Sequence, residues 1–420
     1  MPSFLALLLV LCLSATTLAQ TLARPGWAGS GMSAEPWWKH AVVYQIDPKN
    51  FSENGLKSIP AHLNYLQSLG VDALLLTNTA SDAQTIDPAL GTLDDLDDLI
   101  HQASRLNIRV LLDLKDLKDL KDLKPTSDPA ATAHFWLNHG VAGFHVSTAA
   151  EAVAVSKVTS SSLGERIVIT DESPQNPQQN RDPYPQLLLD PHPGTQSQLT
   201  ASTIRPAIEA SQEQSNRTQP LLLTDGPTYP RSMTRYADGK HDLAIAKIIA
   251  TTLLTTRTAA LLYYGQELGL TTESATIHWD APPPPAKGQS APPPDLTPNA
   301  ALEEANPQSL LNWYRQLSAL HHGNATINSG ANITLNHDDQ NVLAWVRKPS
   351  AVSAISPAIV VICNLSAQPV QLSLKADIQR LHLRGSFLRT ILRSDNAIGP
   401  MHLESMTIPP YGVYIGQLRY

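Results

Sequence analysis

The chain has 420 residues, 42% of them hydrophobic and 16% charged, with a formal net charge of −7. That length accommodates a large barrel domain and a smaller companion, and the mild acidity gives no electrostatic basis for binding nucleic acid or an anionic membrane. The two cysteines exclude a disulfide framework, because Cys12 falls in an N-terminal apolar run and Cys363 stands alone in a buried-strand pattern.

Residues 4–13 are apolar and residues 14–19 are small, which predicts a secretory signal (residues 1–19) and a secreted or periplasmic protein. An uncleaved anchor is the other reading, although the run is short of the ~20 residues a span needs. No later segment is apolar and long enough to cross a membrane. Residues 20–36 read as a linker.

Residues 41–46 form a β-branched run that fits a first strand. Residues 59–70 carry apolar side chains at helical spacing and stop on Gly70, and residues 71–76 form a second strand. A helix over 92–106 and a strand over 108–114 follow. Strands that are near-continuous apolar runs, alternating with helices, predict a parallel sheet wrapped by helices. Asp-Leu-Lys then repeats three times up to Lys124, a charged and solvated spacer. At 135–147 a helix end passes through Gly140 into a short strand ending at Ser147, and 165–173 contains a fifth strand. Two proline runs within 281–298 mark a stiff loop, and 307–322 is a last amphipathic helix closing on His321-His322, which suit the negative end of the helix dipole. From about 328 the texture changes to short strands at 341–347, 359–365, 370–374 and 412–418, an antiparallel β domain. Glycosylation sequons begin at Asn216, Asn324, Asn332 and Asn364.

Several stretches resemble the α-amylase family, glycoside hydrolase family 13, and they fall in family order. Trp37-Trp38 to Phe51 is similar to its opening W-W-x-x-x-V-Y-Q-I-x-P-x-x-F, and residues 63–76 to L-x-Y-L-x-x-L-G-V-D-A-L-x-L. Residues 86–92 resemble I-D-P-x-F-G-T, 135–147 resemble F-W-L-x-x-G-V-D-G-F-R-x-D, 263–269 resemble Y-Y-G-x-E-x-G, and Trp279-Asp280 the W-D that follows. The resemblance implies an α/β fold: a (β/α)8 TIM barrel over 37–325 and a C-terminal antiparallel β-sandwich domain over 326–420. The small domain that the family inserts after the third strand is absent, since about a dozen residues are left for it.

Retaining glycosidases need two carboxyl groups roughly 5–5.5 Å apart, one as nucleophile and one as acid/base. The resemblance puts the nucleophile at Ser147, the acid/base at Glu172 and a third, sugar-gripping Asp at Thr228, so two of three acids are substituted. A serine hydroxyl is a poor nucleophile without an adjacent base. Glu172 equally fits an exposed turn, and Asp225, three residues before Thr228, is a relocation candidate. The resemblance also sets Tyr44, Asp82, His145 (where the family has Arg) and Arg231 at substrate-binding positions, with Ala83 in place of a sugar-stacking aromatic. Asp113 keeps the third-strand acid, in a structural role. The 14 histidines show no metal-ligand spacing, and no cofactor motif occurs.

Three functions remain open on this reading. One is a secreted, catalytically silent family member that binds an α-glucan or maltooligosaccharide. Another is an active α-glucosidase or α-amylase-type hydrolase using Glu172 and Asp225. The last is a scaffold for a protein partner, similar to the heavy chains of heteromeric amino-acid transporters.

Overall fold

The computed structural model describes residues 35–114, 128–174, 183–212, 218–256, 259–272, 276–281, 298–353, 356–395 and 397–420. The signal segment, most of the linker, the Asp-Leu-Lys repeat, most of the proline-rich loop and the Asn216 sequon lie outside them. Trp37–Tyr420 forms one compact unit.

Eight parallel strands close a barrel in chain order: β1 (Val42–Ile46), β2 (Ala73–Leu76), β3 (Arg109–Asp113), β4 (Gly143–Val146), β5 (Ile167–Thr170), β6 (Leu187–Asp190), β7 (Gln219–Leu223) and β8 (Ala259–Tyr263), with β8 returning to β1. Alternate residues divide between two cores. Val43, Leu75, Leu111, Ile169, Leu221 and Leu261 fill the barrel interior. Val42, Tyr44, Leu74, Leu112, Phe144 and Val146 face the helix layer. Both faces are apolar, as expected of a sheet buried on both sides.

The helices begin where the sequence offers caps. Thr92 and Asp95 form a capping box for Leu93–Arg105, and Thr148 and Glu151 form one for Ala149–Ser161. The predicted helix over 59–70 splits into a 3-10 segment, Gly55–His62, with Pro60 inside it, and an α-helix, Leu63–Leu69, that ends on left-handed Gly70. Gly143 opens β4 inside the barrel, where a Cβ would lie 2.3 Å from the Ile167 carbonyl oxygen on β5. Helices follow seven of the eight strands. Residues 171–186 between β5 and β6 carry none among the described residues. Residues 114–128, between β3 and the helix Pro129–Asn138, are too few for an inserted domain.

The C-terminal domain is a six-stranded antiparallel sheet in the order β14 (Met401–His402), β13 (Phe387–Arg393), β16 (Val413–Arg419), β11 (Ile359–Asn364), β10 (Val342–Lys348), β9 (Ala331–Leu335). A two-stranded ribbon, β12 (Val370–Leu372) with β15 (Met406–Ile408), completes it. Along β10 the side chains alternate: Val342, Ala344 and Val346 pack with Leu372 and Ile408 of the ribbon, whereas Leu343 and Trp345 join the barrel's helix-side core. Cys363 joins that core too, and burial pushes its thiol well up from its ordinary value. The Asn364 sequon is inaccessible, since Asn364 is buried and its amide donates to the Gln368 and Pro409 carbonyls.

The His321-His322 pair does more than meet a helix dipole. At the end of the helix Leu310–Gly323, His322 bonds the Ser318 carbonyl and the Asp72 carboxylate that also accepts from the Val42 amide. His321 lies between the carbonyls of Leu254 and His40 and its single ring N–H donates to one of them, so this helix end is tied to the N-terminal rim of β1 and β2.

Candidate functional site

In a closed (β/α)8 barrel the chemistry sits at the C-terminal ends of the strands. Asp113 at the end of β3 and His145 on β4 are register partners on the interior side of the sheet. His145 Nδ1 lies 2.9 Å from Asp113 Oδ2, and Nε2 lies 2.9 Å from Asp171 Oδ1, just past the end of β5. Carboxylates accept, so both ring nitrogens donate and the imidazole is the cation of a three-part clamp across β3, β4 and β5. Burial alone would lower the pKa of His145, but the Asp113 charge and the two hydrogen bonds outweigh it and hold it at about 10. His145 is therefore a charged group with both ring nitrogens engaged and none left for a further partner.

Ser147, next on that side of the chain, is half-buried and sits at the turn into the helix Ala149–Ser161. Glu172 is exposed; its Oε2 accepts from the Ala149 amide at 3.2 Å, the first residue of that helix. Its backbone closes a small turn with the Thr170 hydroxyl. A carboxylate at a helix N-terminus is electrostatically favourable, so the contact accounts for Glu172 without catalysis. The structure thus brings the Ser147 and Glu172 positions to one helix end.

Asp225 is 1% exposed, and both its oxygens accept from Ser232, one from the amide at 2.8 Å and one from the hydroxyl at 3.0 Å. Burial raises its pKa against the lowering effect of those donors. Both oxygens of this relocation candidate thus serve Ser232, the first residue of the short helix Ser232–Tyr236. Thr228 is exposed in the turn between Gly226 and Tyr229, away from that carboxylate's partners.

Three of the expected substrate-binding positions have partners within the fold. Tyr44 is fully buried on the helix-facing side of β1, where its hydroxyl donates to Glu267 Oε1 at 2.8 Å and accepts from the Gly265 amide. Tyr65 donates to the same oxygen at 2.7 Å. Burial raises the pKa of Glu267, and burial followed by the Glu267 charge raises that of Tyr44. Arg231 is fully buried, donating to the Thr272 and Tyr264 carbonyls and lying over the Tyr263 ring at 4.4 Å. Asp82 accepts from the Gln84 amide in a tight turn, and that bond leads the effects that lower its pKa.

Sequence reasoning missed one pair. Asp190, at the end of β6, is buried, and its Oδ1 lies 2.5 Å from Nδ1 of the half-exposed His192. The signal was present in Asp190-Pro191-His192-Pro193, directly after an apolar triplet. Among the described residues no group of three or more His, Cys, Asp and Glu side chains is arranged to hold a metal ion, and no helix is long and apolar enough to cross a membrane.

No family model matches the chain. The trehalose-6-phosphate hydrolase of Escherichia coli is 40% identical over 95 residues, 19% of this chain and 17% of that protein. A glucan 1,6-alpha-glucosidase of Streptococcus pneumoniae is 37% identical over 97 residues, 19% and 18% of the two chains. Maltase A2 of Drosophila melanogaster is 34% identical over 119 residues, 21% of each. The matched segment thus spans about a fifth of the length of these relatives. In three dimensions, the trehalose-6-phosphate hydrolase of Bacillus licheniformis superposes with a TM-score of 0.73 at 18% identity, covering 92% of this chain and 100% of that one. A variant of the isomaltulose synthase of Erwinia rhapontici gives 0.71 at 17% identity, covering 93% and 100%. The superpositions establish the barrel and its C-terminal sheet, and the local identities show a similarity to proteins named as α-glucosidases and trehalose-6-phosphate hydrolases over about a fifth of their length. The chain has the (β/α)8 barrel with a C-terminal antiparallel sheet that these structures share, and over about a fifth of its length it is similar in sequence to α-glucosidases and trehalose-6-phosphate hydrolases.

Proposed function

We propose that this protein binds an α-glucan or maltooligosaccharide without hydrolysing it. The observation that carries the reading is Ser147 at the end of β4, beside His145 locked between Asp113 and Asp171. Double displacement needs a carboxylate there, and a serine near neutral pH supplies neither the nucleophile nor the charge that steadies an oxocarbenium-like transition state. Two other observations support it: Asp225 spends both oxygens on Ser232, and Glu172 rests on a helix N-terminus. The relatives named as hydrolases lend the substrate class, α-glucosides, and no more, since the match covers about a fifth of them. Export by the segment 1–19 belongs to the same reading and is checked by N-terminal sequencing of protein recovered outside the cytoplasm.

Release of 4-nitrophenol from 4-nitrophenyl α-glucoside, and of glucose from maltose, is expected at the buffer rate. Turnover that Glu172→Gln abolishes would overturn the proposal. Calorimetric titration with maltooligosaccharides is expected to show binding heat, and a flat titration would remove the sugar from it.

A further inference from the structure

Among the described residues His192, at the barrel's C-terminal rim, is oriented by a fully buried carboxylate and used by no role above. Its partner Asp190 has a side chain with no exposed surface, whereas the His192 side chain is 49% exposed. Asp190 Oδ1 accepts from the His192 backbone amide at 3.1 Å as well as from Nδ1 at 2.5 Å. A carboxylate accepts, so Nδ1 donates to Asp190 and Nε2 is the ring nitrogen left open. Among the described residues Nε2 has no hydrogen-bond partner. Two prolines, Pro191 and Pro193, flank the histidine and fix φ on either side of it, while the Thr195 amide closes the turn on the Pro191 carbonyl. The ring is therefore held by Nδ1 on a stiff segment, with about half of the side chain exposed. That is the carboxylate–imidazole half of a nucleophilic site.

We propose that Asp190–His192 is a nucleophilic dyad that cleaves activated carboxylic esters at the rim of the barrel. The Nε2 lone pair attacks the ester carbonyl carbon, and the carbonyl–oxygen bond to the leaving group breaks, releasing an aryloxide. Asp190 stabilises the positive charge that develops on the ring. Water then adds to the N-acyl imidazolium, the carbon–nitrogen bond breaks, the hydroxyl of the water completes the carboxylic acid, its other proton passes to the aryloxide or solvent, and the imidazole is regenerated. No oxidant, metal or second substrate enters. The reaction is independent of the sugar reading, because it uses neither Ser147 nor Glu172.

The test is hydrolysis of 4-nitrophenyl acetate by the full chain at pH 7.5, compared with His192→Gln, Asp190→Asn and the exposed-histidine control His402→Gln. His192→Gln is expected to remove at least about four-fifths of the rate above buffer, Asp190→Asn to lower it several-fold, and His402→Gln to leave it unchanged. A rate that survives His192→Gln, or falls equally in His192→Gln and His402→Gln, overturns the proposal. Should Asp190→Asn unfold on loss of its buried acid, carbethoxylation by diethyl pyrocarbonate, mapped by mass spectrometry on the unaltered chain, gives an independent reading. His192 is expected to react first, and modification that reaches His192 no sooner than other exposed histidines contradicts the dyad.

Discussion

His145 is a buried cation held by two carboxylates, Asp113 at the end of β3 and Asp171 just past β5. Replacing His145 with Leu leaves Asp113 without its partner in a buried setting, a change that typically costs about 3–5 kcal/mol. Chemical denaturation of the variant measures it. The pH dependence follows from the sign of the shift. The folded pKa of about 10 stands above the ordinary 6.5, so the native state holds this proton more tightly than the unfolded chain. Its stabilisation is complete below about pH 6.5 and is lost as pH rises through about 10. His321 acts oppositely. Burial, then the neighbouring His322, outweigh its two carbonyl partners and hold it at about 4, so its contribution is present above about pH 6.5 and lost as pH falls toward 4. Melting temperature against pH is expected to peak near 6.5, and His145→Leu is expected to flatten the alkaline limb alone. An unchanged alkaline limb in that variant would refute the charged clamp.

Within single elements, β4 is the most constrained. Gly143 and Ile167 are register partners, and a Cβ at Gly143 would meet a backbone oxygen that cannot swing aside. Gly143→Ala is therefore expected to cost about 1–3 kcal/mol, the usual range for an overpacked core, read as a lower denaturation midpoint at unchanged slope. This glycine was legible in the Val-Ala-Gly-Phe-His stretch, as were β1 to β5 and the capped helices, because apolar runs and cap residues are local signals. The face that each strand residue takes was not. Val42 to Ile46 is buried throughout, so nothing in the run says that Tyr44 turns toward the helices and away from the mouth. A sheet buried on both sides erases the period-two pattern that would have told them apart. β6 stayed hidden for a related reason: three leucines in a row fit a strand or a helix turn equally, and Asp190 and His192 went unnoticed with it.

Across the molecule, the barrel and the C-terminal sheet are joined by polar clamps as well as by a shared core. Arg205, on the barrel helix Ala201–Gln212, is 5% exposed and donates from one nitrogen to the carbonyls of Asn336, Asp339 and Val342 in the β9–β10 connection. Glu209 of the same helix accepts from the Thr334 hydroxyl, and Arg347 of β10 donates back to the Thr255 carbonyl. Arg205→Ala strands buried carbonyls at about 1–3 kcal/mol each when no water replaces the donor. Limited proteolysis is then expected to cut first in the 336–341 turn, and a wild-type cleavage pattern would contradict the clamp. The two-domain plan was legible from the change in strand texture near residue 328; these clamps were not, since nothing in the sequence pairs Arg205 with a turn 131 residues away. On the proposed reading, the molecule keeps the barrel and its C-terminal sheet, with Ser147 and Thr228 standing at two of the positions where the chemistry would need acids. Intact-mass spectrometry after incubation with a fluorinated α-glucosyl fluoride, which traps the glycosyl–enzyme ester of a retaining α-glucosidase, puts this to the test. The unmodified mass of the chain is expected, and a single glycosyl adduct mapping to a carboxylate at the barrel mouth would contradict it.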